Sequence, residues 1–266
     1  MSEIQFGFPT LLETSGIEEC AALCQHLGLS FIEISMDLPE YQPEKLDVTL
    51  LNSIANQYGV YYTIHLSGFL NPCDFNERVA AAYIDTTLDT IAIAKQLGVP
   101  ILNMHLADGD RFTLPNQSVY LFDRYAEHHE QKLSEFRDIC TQAIGNADIK
   151  LCIENANAEN RAEFWAKSVD ILTERPVFGI TFDIGHNASA GFSAEPHIQK
   201  RLDLLNHFHV HDAIGTSNHL TLGTGELDIE HYLDLAKTTR SRVVIETKTM
   251  DALQQSVEWL KARKWI

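Results

Sequence analysis

Lys95-Gln96-Leu97-Gly98-Val99-Pro100-Ile101-Leu102-Asn103-Met104-His105-Leu106 holds the pattern that decides the fold. A helix ends at Leu97, a glycine marks its C-terminus, and a short strand then runs to a histidine. The same order recurs upstream in QHLGLSFIEI (25–34) and NQYGVYYTIHL (56–66), with Gly28 and Gly59 in the glycine's place. Helix, glycine, short loop and strand make the αβ half of a βαβ unit. Outward from these three, eight short apolar runs keep the rhythm: 4–8, 31–35, 61–65, 101–105, 151–154, 179–183, 207–211 and 243–246. The segments between them read as helices; in 77–97, Ile84, Leu88 and Ile91 share one face. Eight such units predict an α/β protein, a single-domain (β/α)8 TIM barrel over residues 1–266. An open doubly wound sheet fits less well, since no G-x-G-x-x-G follows the first strand. The longest spacer lies between the fourth and fifth strands and leaves room for a loop over the site before its helix.

Composition narrows the class. The chain is 45% hydrophobic and 21% charged, as soluble globular proteins are. Its apolar runs fall short of the roughly 18–20 residues of a membrane span. The start, MSEIQFGFPT, lacks the basic and apolar regions of a signal peptide, so a cytoplasmic protein is expected. Five cysteines with no CxxC pair argue against a disulfide framework, and Cys20 and Cys24 read as helix-core residues. A net charge of −17 argues against non-specific binding to nucleic acid.

The strand ends carry the chemistry. Side chains alternate between barrel interior and helix layer. With Ile64, Leu102, Ile153, Ile180, Phe182, Val243 and Ile245 outward, His65, His105, Glu154, Asp183 and Glu246 point inward at the C-terminal ends, where barrel enzymes build their sites. The run Asn206-His207-Phe208-His209-Val210-His211-Asp212 puts three imidazoles on one face. Converging carboxylates and imidazoles repel and desolvate one another, and a divalent cation removes that conflict. Glu154, Asp183, His209 and Glu246 form a mixed oxygen and nitrogen set that suits Mn, Zn, Fe, Co or Mg. The competing account is an internal salt-bridge network without metal. No lysine or arginine is seen at matching strand ends, so that network is expected to lack its cations.

Together the motifs TIHLSG, LNMHLADG, LCIENAN, TFDIGHN, FHVHD, LGTGELD and VVIETK resemble the xylose-isomerase-like barrels, a family of sugar-phosphate isomerases and epimerases with endonuclease IV as a distant branch. The resemblance implies one divalent ion held by Glu154, Asp183, His209 and Glu246, with Glu154 and Glu246 also the catalytic acid/base pair. It implies a further site histidine at His186. His65, His105, His186, His211 and His219 are expected to face substrate. Metal binding by His65 and His105 stays open, as does an orienting role for His211. The implied reaction is proton abstraction beside a carbonyl, through an enediolate, in a small polyhydroxy compound. Epimerisation, isomerisation and an inosose-dehydratase-like elimination all follow from that chemistry. A rival is an endonuclease IV-like zinc phosphodiesterase acting on DNA, favoured by histidines on strands three and four. Against it, the nuclease Asp-x-His is here Ser217-Asn218-His219, and the loop AIGTSNHLTLGTG has no arginine for phosphates. That missing arginine also departs from the ketose 3-epimerases, while some non-nuclease relatives share the loop's His-x-x-Leu-Gly. The family's frequent dimers and tetramers leave room for a homo-oligomer. Outside the site, His207 and Glu33 are expected to bond within the barrel floor. His128 and His129 are expected in solvent, and Leu222-Gly223-Thr224-Gly225 in a turn.

Overall fold

Runs of β-branched and aromatic residues suit strands buried on both faces, and eight of them build the wall of a closed parallel barrel. The computed structural model describes residues 4–156 and 161–266. The barrel strands are β1 (Phe6–Pro9), β2 (Phe31–Ser35), β3 (Tyr61–His65), β4 (Ile101–Met104), β5 (Lys150–Glu154), β6 (Phe178–Asp183), β7 (Leu205–Val210) and β8 (Arg242–Ile245). Each pairs with its neighbours in sequence. Phe6 opposite Val243 and Gly7 opposite Val244 close β1 onto β8. The expected strands are present, with ends moved by one or two residues. The side chains assigned outward, Ile64, Leu102, Ile153, Ile180, Phe182, Val243 and Ile245, are fully buried against the helix layer.

Helices Ile17–Leu27, Val48–Tyr58 and Glu77–Leu97 end at Gly28, Gly59 and Gly98, all left-handed, as the helix–glycine–strand pattern requires. The helix Glu77–Leu97 buries Ala80, Thr87, Thr90, Ile91 and Ala94, while Ile84 and Leu88 are only partly covered. Small residues let the helix approach the barrel. The buried hydroxyls of Thr87 and Thr90 donate to the carbonyls of Tyr83 and Thr86, so they need no other partner.

Three expectations need correction. The spacer after β4 forms a β-hairpin, Arg111–Leu114 with Gln117–Tyr120, and none of its residues lines the mouth pocket. His129 is not in solvent: it is 5% exposed and lies between the rings of Phe122 and Phe164. His128 is half-buried against Phe75. Two aromatic faces flank an imidazole there, which a polar helix start does not reveal.

All five cysteines are buried and free. Among the described residues no helix is long and apolar enough to cross a membrane. The last residue of the LCIENAN motif, Asn157, and the first three of MSEIQFGFPT lie outside the described residues.

Candidate metal centre and active site

Strand register assembles the site, with one irregularity. Asp183 on β6 pairs directly with His209 on β7. It does so because β7 carries an extra residue, Asn206, between the pairs Ile180–Leu205 and Thr181–His207. Glu154 pairs with Thr181, one inward position below Asp183, and Val244 pairs with His209, one inward position below Glu246. The four expected ligands are therefore not level along the ladder. The stagger of a tilted barrel and the reach of two glutamates bring them together. His209 Nδ1 lies 3.4 Å from Glu154 Oε2, 3.9 Å from Asp183 Oδ2 and 2.9 Å from Glu246 Oε2.

Each carboxylate has its own support. Asn103 on β4 donates to Glu154 Oε2, and Trp165 Nε1 donates to the Glu154 carbonyl at 2.9 Å. Asn155 holds the Asp183 backbone from both sides: its Nδ2 donates to the Asp183 carbonyl and its Oδ1 accepts from the Asp183 N–H, both at 2.8 Å. Asp183 Oδ1 caps the short helix Ile184–Ser189 by accepting from the His186 N–H at 2.6 Å. Lys248 Nζ lies 2.8 Å from Glu246 Oε1. A cation thus does stand near a strand end, two residues beyond Glu246, where the chain has turned it back toward the carboxylate.

The remaining histidines fall into an upper ring and a floor. His65 Nε2 and His105 Nε2 lie 3.4 and 3.2 Å from Glu154 Oε2, with their rings edge to face. His186 Nε2 lies 3.7 Å from Asp183 Oδ2 and 3.9 Å from Glu154 Oε1. His219 is left-handed and sits 3.8 Å from Glu246 Oε1. All four line a pocket of about 530 Å3 at the barrel mouth, with Glu154 and Glu246 at its base. His211 does not line it. Its ring is buried, with Nε2 3.1 Å from Asp183 Oδ2 and Nδ1 accepting from the His219 N–H at 2.8 Å. Those contacts make it an orienting group for Asp183. Gly185 leaves space for that ring, since a Cβ there would come within 2.0 Å of it.

The floor belongs to Glu33 on β2. Its carboxylate accepts from Thr63 Oγ1 at 3.0 Å and bonds His207 Nε2 at 2.9 Å. It also lies 2.8 Å from His209 Nε2. Glu33 thus backs His209 from beneath. Alternation points Asn103 inward but does not single it out as a support for Glu154, and Asn155 and Lys248 follow strand ends, where a polar residue is too common to single out. Asp212 is internal: its two oxygens accept from the N–H groups of Ala213, Gly223, Gly225 and Leu227, which shapes the Leu222–Gly225 turn and occupies its donors.

Electrostatics show how many carboxylates the centre must neutralise. Burial opposes ionisation of Glu154, Glu246 and Asp183, yet the adjacent imidazoles hold all three below the usual carboxylate range. Burial likewise opposes a charged His209, but Glu154, Glu33 and Glu246 lift it well above an ordinary histidine. Against the same desolvation, Glu154 lifts His65 to about 9. Burial holds His219 down at about 4. Protons on His65 and His209 therefore offset part of the carboxylate charge, and a divalent ion competes for the same oxygens. The donor set fits such an ion. His209 Nδ1 and Glu246 Oε2 are only 2.9 Å apart, yet neither is aligned for a hydrogen bond, so each remains an unpartnered buried polar atom. Carboxylate oxygens with one imidazole nitrogen suit Mn, Zn, Fe or Co.

The sequence model of the xylose isomerase-like TIM barrels matches residues 21–263. An uncharacterised protein of Methanocaldococcus jannaschii, MJ1311, is 26% identical over 235 residues, which cover 81% of this chain and 74% of that protein. The structure of a D-tagatose 3-epimerase-like protein superposes with a TM-score of 0.78 at 23% identity, covering 97% of this chain and 96% of that one. The structure of a protein named IOLI, with a bound zinc atom, superposes with a TM-score of 0.74 at 16% identity, covering 99% of each. At these identities the structural likeness is one of fold.

Proposed function

We propose that this chain, which belongs to the family of xylose isomerase-like TIM barrels, is a divalent-metal-dependent isomerase or epimerase of a small polyhydroxy carbonyl compound. The observation that carries this reading is the convergence of Glu154, Asp183 and Glu246 on His209 Nδ1 at the base of an open pocket. Those four residues would hold the ion. A divalent ion there would polarise the carbonyl and adjacent hydroxyl oxygens of a substrate and acidify the C–H between them.

The chain's own groups supply the rest. Glu154 and Glu246 reach the pocket from β5 and β8, so they flank a substrate as an acid/base pair. Glu246 is 13% exposed and lines the pocket, so its carboxylate can take a proton from carbon. Glu154 is held by Asn103 and lies beside His65 and His105, which keeps it ionised and fixes its direction. Return of the proton to the opposite face of the same carbon is epimerisation, and transfer to the next carbon is isomerisation. With a leaving group on the neighbouring carbon the same proton abstraction becomes elimination. His65, His105, His186 and His219 line the walls and offer ring nitrogens to substrate oxygens.

A second reading, zinc-dependent phosphodiester hydrolysis, draws on the clustering of His186, His211 and His219 and on the approach of His65 to Glu154 and His209, either of which could hold a metal. Ser217 and Asn218 in place of an Asp-x pair, and a net charge of −17, weigh against it. Two measurements decide. Metal analysis of the purified protein is expected to find one divalent ion per chain. Incubation in deuterated water with a panel of ketoses, aldoses and inososes is expected to put deuterium on a carbon next to a carbonyl. Absence of both, even after reconstitution with Mn, Co or Zn, rejects the isomerase reading. Three tightly held zincs with cleavage of abasic duplex DNA would replace it with the second.

A further inference from the structure

We propose that Asp37 determines substrate specificity at the mouth: its carboxylate accepts a hydroxyl hydrogen from the substrate end that lies outside the ligand-bearing strands, and it turns away a phosphate ester at that end. The inference rests on the isomerase reading above and deepens it by naming the substrate class, an uncharged polyhydroxy carbonyl compound.

Asp37 follows β2, whereas the metal ligands come from β5 to β8. It lines the same pocket, beside Ser35 and His105. Its Oδ1 is anchored, accepting from Ser67 Oγ at 2.8 Å and from the Gly68 N–H at 3.1 Å. Among the described residues no hydrogen bond engages Oδ2. Asp37 is exposed, yet its carboxylate is aimed by one oxygen and open at the other, so its direction is fixed. Gly68 sets a second polar group beside it. A Cβ at that position would lie 3.2 Å from His105 Nδ1 and 3.7 Å from Asp37 Oδ2. One wall thus presents a carboxylate oxygen and an imidazole nitrogen on either side of Gly68, suited to neighbouring hydroxyls that both donate and accept.

The charge of the lining gives the second half of the argument. Its carboxylates are Glu33, Asp37, Glu154 and Glu246. Its cation among the described residues, apart from any protonated histidine, is Lys248, which already pairs with Glu246 Oε1. A hydroxyl gives a carboxylate a charge-assisted hydrogen bond. A phosphate ester brings close to two negative charges and acceptor oxygens, so beside Asp37 it gains no such bond and meets repulsion. Sites for phosphate supply arginine, lysine or helix N-terminal N–H groups, and the pocket lining has no arginine and one lysine, Lys248, which is taken by Glu246. The neighbouring rim is Leu11 and Leu12, the latter 82% exposed, which offers apolar surface to the C–H face of a sugar.

The test uses the metal-loaded protein and two compounds, a free ketose that exchanges deuterium and the terminal phosphate ester of the same skeleton. The free compound is expected to be favoured in kcat/KM by at least about tenfold. Asp37→Asn should narrow that ratio by about threefold or more, chiefly through KM of the ester, and Asp37→Lys should narrow it further. Raised salt should narrow the ratio more for the native protein than for Asp37→Asn, because the native wall carries one more carboxylate charge to be screened. Equal or better exchange with the ester, or a ratio that Asp37→Asn leaves unchanged, overturns the inference while the isomerase reading stands. A lack of exchange with both compounds and with every member of the panel overturns the inference and that reading together.

Discussion

At the barrel mouth His209 is set among Glu154, Asp183, Glu246 and Glu33, whereas in the helix layer His129 is stacked between Phe122 and Phe164 with the Arg161 guanidinium 4.1 Å over the Phe164 ring. Both imidazoles are buried. Burial pushes His129 down to about 4, helped by Arg161, so it packs as a neutral aromatic ring. The same burial acts on His209, but surplus carboxylate charge overrides it and drives the ring the other way. A pocket of about 400 Å3 also lies beside His129, lined by Arg161, Lys167 and Glu130 among others. Neither burial nor a nearby cavity separates the two places. What separates them is that Asp123 and Asp108 meet Arg161 in the helix layer, while the mouth gathers more carboxylates than its side-chain cations match.

Three substitutions can break that comparison or sharpen it. The largest effect is expected at Glu154. Glu154→Gln keeps the shape but removes one charge from the ligand set and one member of the acid/base pair, so kcat/KM should fall by about 1,000-fold or more, with weaker metal binding. Deuterium exchange and metal titration read the two losses separately, and wild-type values for both would mean that Glu154 serves neither role. Next comes Glu33. Glu33→Gln leaves the ligands in place but weakens the group behind His209, so metal affinity should drop about 10- to 100-fold in competition with a chelating dye. The parallel variant His129→Leu should leave affinity unchanged; equal losses in both would erase the distinction between mouth and helix layer.

The smallest effect is a pH dependence of stability at His129. Its folded-state value of about 4 lies below the ordinary 6.5. As pH falls through 6.5 the unfolded chain takes the proton first, so the contribution is complete above that pH and is lost on the way to pH 4. Between pH 7 and pH 5 this amounts to about 1–2 kcal/mol. Urea unfolding of His129→Leu should therefore show a shallower loss of stability over that interval than the native protein. Parallel pH profiles would mean that His129 is not held neutral.

Much of the mouth was legible because a strand's alternation is a strict rule. Once Ile153 and Phe182 are outward, Glu154 and Asp183 must point in, whatever the rest of the chain does. His207 was legible as a floor residue for the same reason, and its bond to Glu33 agrees. Asn155 was not, because its role is to hold the Asp183 backbone across two strands and leaves no local pattern. Lys248 lies two residues past a strand end, where direction depends on the turn. His129 sits in a polar stretch and is covered by Phe122 and Phe164, which lie seven residues before it and 35 after it.

By itself the sequence determined the barrel, since a short apolar strand after a helical segment recurs eight times, with a glycine cap marking three of the junctions. It also determined which ends bear ionisable groups. Tertiary structure decided how those groups meet. The extra residue Asn206 brings His209 opposite Asp183. The barrel's stagger, with two long glutamate side chains, closes the distances that the ladder leaves open. Glu33 and Asp37, on β2 and just after it, became the floor and a wall of the site only through contacts with β3, β7 and the loop after β3. Such contacts join residues 30 to 174 positions apart, and only closure of the barrel sets them at bonding distance.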